Sequence, residues 1–305
     1  MSEAPEDVRA LAEARHRARQ ARDFASADEL RDRIRRAGFD VHDTPSGWQL
    51  TPRGPEAPGE AEPVYARSED VPSVLERPPS FDGPTVQWVI QGWAEDARRS
   101  VRSVGRTLSG AFQSIIVDAA GTGTLDWYRG HDEVIHVTTA GGWAMAQNAG
   151  LRRAASEVVI LVDGSVEFMD DGVGRLREAL RDPTVGVTGP FGLVTDDLHE
   201  FRESDGPDVD AIEGYVMAFR RELVEQGLRF DEKFKFYRTA DIELSFRIKA
   251  MGVRATVTPI AVTRHEHRMW ANTPEDERAR LSKRNFYRFL DAWRGRTDLL
   301  VSGGT

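Results

Sequence analysis

From Pro84 onward the apolar positions come in two alternating textures. Short runs rich in Val and Ile are separated by stretches in which apolar residues recur every three or four positions. The runs TVQWVI, FQSIIVD, DEVIHVTT, EVVILVD, VGVTG and VRATVTP read as strands. AEDARRSVRSVGRTL, WAMAQNAGLRRA, GVGRLREAL and ADIELSFRIKAMG read as helices, and a last helix is predicted from near Pro274 to Trp293. DVDAIEGYVMAF reads as an extended segment. Strands separated by helices of this length predict an α/β domain with a mainly parallel sheet covered on both faces. The run Val158–Val162 passes directly into Asp163-Gly164-Ser165, and FQSIIVD ends on Asp118. An unbroken apolar run is a strand buried on both faces, and open α/β sheets bind ligands beyond the carboxyl ends of such strands. Asp118 and Asp163 are therefore either turn residues or the floor of a site.

Upstream the pattern changes. Leu11, Ala14, Ala18 and Ala21 share one helical face, and Ala27, Leu30, Ile34 and Ala37 share another after Asp23-Phe24-Ala25. These predict a helical hairpin, with Ser26 and Glu29 as a capping box and Gly38 as a C-cap. VHDTPSGWQL then predicts two short strands about a turn. Residues 51–83 hold clustered Pro and many charges, which predicts a linker touching the next domain through Val64-Tyr65 or Val74-Leu75. The expected organisation is a hairpin domain over 1–50, a linker over 51–83 and a large α/β domain over 84–305.

Composition narrows the chemistry. The 305 residues include no cysteine, so disulfides, thiolate metal sites and cysteine nucleophiles are excluded, and any metal must be held by oxygen or imidazole. The formal charge of -9 argues against unspecific nucleic-acid binding by the whole chain. No stretch approaches the ~20 apolar residues of a membrane span, and the N-terminus lacks a secretory apolar core, so a cytosolic location is expected.

In chain order, IIVD, GWAMAQNAGLRRA, ILVDGSVEF, LRDPTVGVTGP, AIEGYVMAFRRELVEQGLRFDEKF, TADIELSFRIKAMG and TRHEHR resemble the landmarks of family 2 glycosyltransferases of the GT-A type. The resemblance covers about residues 84–270. It implies a nucleoside-diphosphate-sugar donor of UDP or GDP type, an acceptor hydroxyl of unknown parentage, and inversion at the sugar carbon. Carried over by position, Asp118 would recognise the nucleoside, Asp163 and Ser165 the donor, and Asp241 would be the general base. A divalent cation, Mn²⁺ or Mg²⁺, would be held by Asp163, His265 and the diphosphate, with imidazole favouring Mn²⁺. The chain departs from the family pattern at Gln91-Gly92-Trp93, at Gln147, at Ser165 where a second carboxylate is usual, and at Ala240 beside the base.

Each residue also has a plainer reading. His265 and His267 are a ligand pair on one face of a strand or an exposed charged end. Trp93 stacks on a ring or closes a core. Arg220-Arg221 reaches phosphate or solvates a helix start, and Gly141-Gly142 brings backbone N–H groups to phosphate or merely turns. The first 50 residues resemble the C-terminal helical region of cysteinyl-tRNA synthetases, without their catalytic signatures. That implies tRNA contact through Arg15, Arg17, Arg19 and Arg22, against a solvated scaffold or oligomer contact. Residues 1–40 carry nine Arg and nine Asp or Glu, which favours the scaffold. The leading expectation is an inverting glycosyltransferase. Its alternative is a weakened GT-A-like protein that binds nucleotide sugars, with or without RNA.

Overall fold

The computed structural model describes residues 4–302 except 22, 24, 25, 28, 29, 32, 35, 36, 45, 46, 53–62 and 122–132. It falls into two compact units, divided between Pro63 and Val64.

In the first unit, helix Glu6–Gln20 carries Glu6 and Asp7 in its first turn and Arg17 and Arg19 in its last, matching the helix dipole at both ends. Strands β1 (Phe39–Thr44) and β2 (Gly47–Pro52) pair antiparallel. Val8, Ala12, Ile34 and Val41 form the buried cluster, with Leu11, Phe39, Trp48 and Leu50 packed on it. Residues 26, 27, 30, 31, 33 and 34 are helical, where the second helix is expected. Glu29 of the expected capping box lies outside the described residues. The N–H of Ser26 goes to Asp23 Oδ1 at 3.1 Å. Gly38 has φ of 84°, as a C-cap glycine requires.

The second unit begins with β3 (Val64–Tyr65), β4 (Thr85–Ile90), β5 (Gln113–Asp118), β6 (Glu133–Val137), β7 (Val158–Val162) and β8 (Val166–Phe168). There follow β9 (Val185–Gly189), β10 (Gly192–Val194), β11 (Arg202–Ser204), β12 (Asp208–Val209), β13 (Ala211–Ile212) and β14 (Val216–Arg220). Strands β15 (Arg254–Val257) and β16 (Val262–Arg264) are the last. Nine of these form one sheet in the order β12-β15-β9-β14-β7-β4-β5-β6-β3. Strands β3 to β7 within it are all parallel, so the α/β reading holds. Val64-Tyr65 is the edge strand, and so the end of the expected linker segment is part of the second unit.

The segment read as simply extended divides into three short strands. Its last, β14, runs antiparallel between β7 and β9. Burial on both sheet faces explains the unbroken apolar runs: β5, β7 and β9 are buried at every position.

Helices cover both faces. Helix Ala94–Thr107 buries Ala97, Val101 and Val104, with Ser100 and Ser103 between them. The two serines allow close approach and satisfy buried donors: Trp88 Nε1–H donates to Ser100 Oγ at 2.9 Å, and the Phe168 N–H to Ser103 Oγ at 2.9 Å. Helix Trp143–Leu151 is buried along its whole length. There Gln147 accepts from Gln87 Nε2 at 2.6 Å, a structural use of that position. Among the described residues no helix is long and apolar enough to cross a membrane.

Candidate active site

Asp163 directly follows β7, where the chain turns through Gly164 into β8. Its Oδ1 accepts from the Ser165 N–H at 2.8 Å and also from Ser165 Oγ. Its Oδ2 lies 3.2 Å from His267 Nε2. Burial alone would push this carboxyl up, but His267 and the two Ser165 donors outweigh it and hold Asp163 below the usual aspartate value. Ser165 therefore orients the carboxylate rather than standing beside it as a second charge.

His267 is fixed from several sides. It caps helix Arg268–Asn272, its Nδ1 accepting the Trp270 N–H at 3.2 Å. That hydrogen bond leaves the neutral ring's proton on Nε2, directed at Asp163. Tyr237 lies against the ring at 4.4 Å between centroids, and Tyr215 meets it edge-on at 6.1 Å.

His265 goes elsewhere. Its Nε2 lies 2.9 Å from Glu167 Oε2, and this partner holds Glu167 below its ordinary value. The structure thus brings Asp163 together with His267 and does not bring it together with His265. Strand β16 ends at Arg264, so the alternation that would put both imidazoles on one face does not extend to them. Among the described residues no three His, Asp or Glu side chains converge as a metal cluster.

Asp241 sits in the first turn of helix Ala240–Ala250. The residue before that helix, Thr239, has φ of 70°, and Trp93 before helix Ala94–Thr107 has φ of 50°. Both are left-handed non-glycine positions at the rim of the site, where such backbone costs energy that packing must hold. Asp241 Oδ2 accepts from the Gly214 N–H at 2.8 Å and Oδ1 from the Ile242 N–H at 2.9 Å. Burial nonetheless dominates and pushes its carboxyl up.

Asp163, His267 and Asp241 all line one cavity of about 230 Å³, with Trp143, Glu213, Tyr215, Tyr237 and Arg238. Asp163 and His267 also line a smaller recess with Gln91, Gly92, Trp93 and Arg268. Asp163, His267 and Trp143 form the wall shared by the two.

These features sit on a chain whose residues 94–246 match the family model for glycosyl transferase family 2. The match covers half of the sequence. The chain belongs to glycosyl transferase family 2. Residues 1–49 match the cysteinyl-tRNA ligase anticodon binding domain. A cysteine–tRNA ligase of Opitutus terrae is 49% identical over 51 residues, 17% of this chain and 11% of that one. The chain thus spans about a tenth of that relative's length.

Two solved glycosyltransferases resemble the family 2 chain in structure. GalNAc-T7 with UDP, GalNAc and Mn²⁺ is 16% identical, over 71% of this chain and 49% of that one, with a TM-score of 0.56. This likeness shows the GT-A fold, and the chain spans about half of that protein. The mannosyltransferase PcManGT from Pyrobaculum calidifontis, in complex with GDP-Man and Mn²⁺, is 20% identical over 63% of this chain and 59% of that one. Its TM-score is 0.47.

In this family 2 fold Asp118 also closes a strand, one place beyond β4 from β7, but it lines neither recess. Its Oδ2 lies 3.0 Å from His136 Nδ1, and its Oδ1 accepts from the Ala120 N–H at 3.0 Å. The Arg pair contacts no cavity carboxylate. Buried Arg221 donates to the carbonyls of Ala154, Val74 and Arg77 at 2.8, 2.9 and 2.7 Å. Arg220 donates to the carbonyls of Asp182, Pro183 and Val185. Gly142, at φ of 81°, admits Lys235, whose Cα would lie 2.9 Å from any added Cβ. Sequence reasoning passed over Glu213, Tyr215 and Tyr237. Only their place in the AIEGY and FKFY segments, near the landmarks, marked them.

Proposed function

We propose that the chain is a glycosyltransferase that moves a sugar from a nucleoside-diphosphate-sugar to an acceptor hydroxyl with inversion. The observation that carries this reading is the convergence of Asp163, His267 and Asp241 on one cavity. Asp241 is the general base. Its two backbone N–H partners fix the carboxylate, and burial makes it a stronger base than an exposed aspartate. Asp163, held ionised by His267 and Ser165, marks the donor end of the cavity, and Asp118 with His136 serves the nucleoside.

Asp163 Oδ2 and His267 Nε2 lie 3.2 Å apart, a separation that suits two ligands of one divalent cation. A carboxylate with an imidazole favours Mn²⁺, and GalNAc-T7 is described with that ion. Bound there with the donor's phosphates, it would offset charge on the departing diphosphate. To hold the cation through Nε2, His267 would carry its proton on Nδ1 and would give up the hydrogen bond it now accepts from the Trp270 N–H. His265 is engaged by Glu167 instead.

The alternative, a donor-binding protein with little turnover, draws on Ser165, whose hydroxyl is spent on Asp163. The two readings part on Asp241→Asn. Loss of a general base should lower transfer by ~10²- to 10⁴-fold while calorimetry with UDP- and GDP-sugars in Mn²⁺ still shows donor binding. Unchanged transfer would remove Asp241 from the mechanism. Donor binding without transfer or hydrolysis by the native chain would favour the alternative.

A further inference from the structure

Glu213 is a carboxylate that the reaction as described does not use, yet it lines the same cavity as Asp241. Its backbone is pinned on both sides. Its own N–H donates to the Phe191 carbonyl at 2.8 Å, and the N–H of Gly214 donates to Asp241 Oδ2 at 2.8 Å. Contact here is close: a Cβ on Gly214 would lie 3.1 Å from the Asp241 Cβ and 3.3 Å from its Oδ2. The two acids therefore meet across a single peptide junction.

The carboxylate of Glu213 is oriented as well as placed. Its Oε2 lies 3.4 Å from Arg264 Nη1, and the side chain is 20% exposed. The Arg264 guanidinium is in turn held between two rings, 4.7 Å from the centroid of Phe191 and 4.6 Å from that of Tyr215. Burial, with the charge of Asp241 adding to it, pushes the Glu213 carboxyl up despite Arg264. A half-buried acid whose ion pair is this long retains accepting capacity, and leaving it unused is costly.

The remaining wall has a consistent chemistry. Tyr215 and Tyr237 are phenols that burial keeps un-ionised, so each can donate and accept. Glu203 adds another acid and Arg238 is the basic residue of the lining. Beside Glu203, Glu213 and Asp241, aromatic rings with neutral hydroxyls accept a ring carrying hydroxyl donors and repel an anion, whereas the donor's diphosphate is met at Asp163 by the cation proposed there. The cavity, about 230 Å³, is smaller than the ~300–1,000 Å³ of sites for drug-sized ligands and is on the scale of one small ring.

We propose that Glu213 is the acceptor-reading carboxylate, that it accepts a hydrogen bond from the hydroxyl adjacent to the one Asp241 deprotonates, and that the acceptor is a sugar diol without an anionic group. This rests on the transferase reading above and adds the acceptor's class to it.

The test uses the full chain with Mn²⁺ and UDP-glucose, UDP-N-acetylglucosamine or GDP-mannose as donors. Methyl mannoside, methyl galactoside and glucose 6-phosphate serve as acceptors. Transfer to a methyl glycoside in preference to glucose 6-phosphate is expected. Glu213→Gln should raise the acceptor KM by about tenfold or more, the scale of one lost hydrogen bond to a charged group. The donor dissociation constant by calorimetry should stay within about twofold, which a general disturbance of the fold would not allow. If the Gln variant melts below assay temperature, Glu213→Asp, which withdraws the carboxylate by one methylene, should give the same split. An unchanged acceptor KM in either folded variant, or preference for glucose 6-phosphate, would overturn the assignment. Donor hydrolysis without transfer to either methyl glycoside would overturn the sugar-diol acceptor and leave the transferase reading standing. Absence of any donor binding by the native chain would remove both.

Discussion

At the scale of single residues, the site opposes two aspartates whose surroundings act in opposite directions. Asp163 is held ionised by His267 and Ser165, and Asp241 is pushed up by burial against the donors that face it. The sign of each effect sets a pH response. A base must be ionised, so activity should fall as pH drops through the raised value of Asp241, at higher pH than an ordinary aspartate at 3.8 would require. The expected observation is an acid limb in kcat/KM that is absent from the residual activity of Asp241→Asn. For stability, the folded state binds the Asp241 proton more tightly than the unfolded chain. Its contribution is therefore present at low pH and is lost as pH rises through the folded value. At neutral pH Asp241→Asn should accordingly stabilise the fold by ~0.5–2 kcal/mol, the scale of one stabilising substitution, seen as a higher melting temperature. A lower melting temperature would mean that the hydrogen bonds from Gly214 and Ile242 outweigh the burial of charge.

Elements explain which of these residues could be read in advance. Asp163 was legible because an apolar run closes on it, and the run is apolar because β7 is buried on both faces between β4 and β14. The mainly parallel sheet was legible for the same reason. Asp118 was legible as a strand end, but its commitment to His136 depends on the pairing of β5 with β6, which no local pattern carries. Which of His265 and His267 meets Asp163 was hidden by a register. β16 pairs with β8 only through Arg264 and Val166, after which the chain leaves the strand, so His265 meets Glu167 and His267 meets Asp163. Arg221 was hidden by distance, since its carbonyl partners lie at Val74, Arg77 and Ala154. It also pairs with Glu225 from within its own short helix. Neither phosphate binding nor solvation describes such a residue. Its removal should strand buried carbonyls and a carboxylate, so Arg221→Met should cost ~3–5 kcal/mol in a denaturant titration. The folded fraction should bind donor as the native chain does. A loss below about 1 kcal/mol would show that water replaces the guanidinium there.

For the whole molecule, the division between Pro63 and Val64 makes a sharper prediction than the composition of residues 51–83 does. The three large buried clusters lie wholly within residues 71–300, and the nine-stranded sheet begins at Val64. The first unit has its own small cluster about Val8, Ala12, Ile34 and Val41. Each unit therefore buries its own apolar surface, which is the physical condition for independent folding. A chain of residues 64–305 should melt cooperatively, within a few degrees of the corresponding transition in the full chain. It should also bind UDP- or GDP-sugars with an unchanged dissociation constant. The likeness of residues 1–49 to an anticodon-binding domain then becomes separately testable. Within that unit Arg15 is buried and Arg17 pairs with Glu13 at 3.0 Å, while Arg22 lies outside the described residues. Arg19 is engaged as well, so three of the four arginines that would meet phosphate already have partners. Any tRNA affinity of the full chain should be weak, with a salt dependence corresponding to few phosphate contacts, and should vanish in residues 64–305. Steeply salt-dependent tRNA binding would show instead that these arginines exchange their present partners for phosphates. A loss of donor binding on truncation would show that the large unit does not complete its site alone.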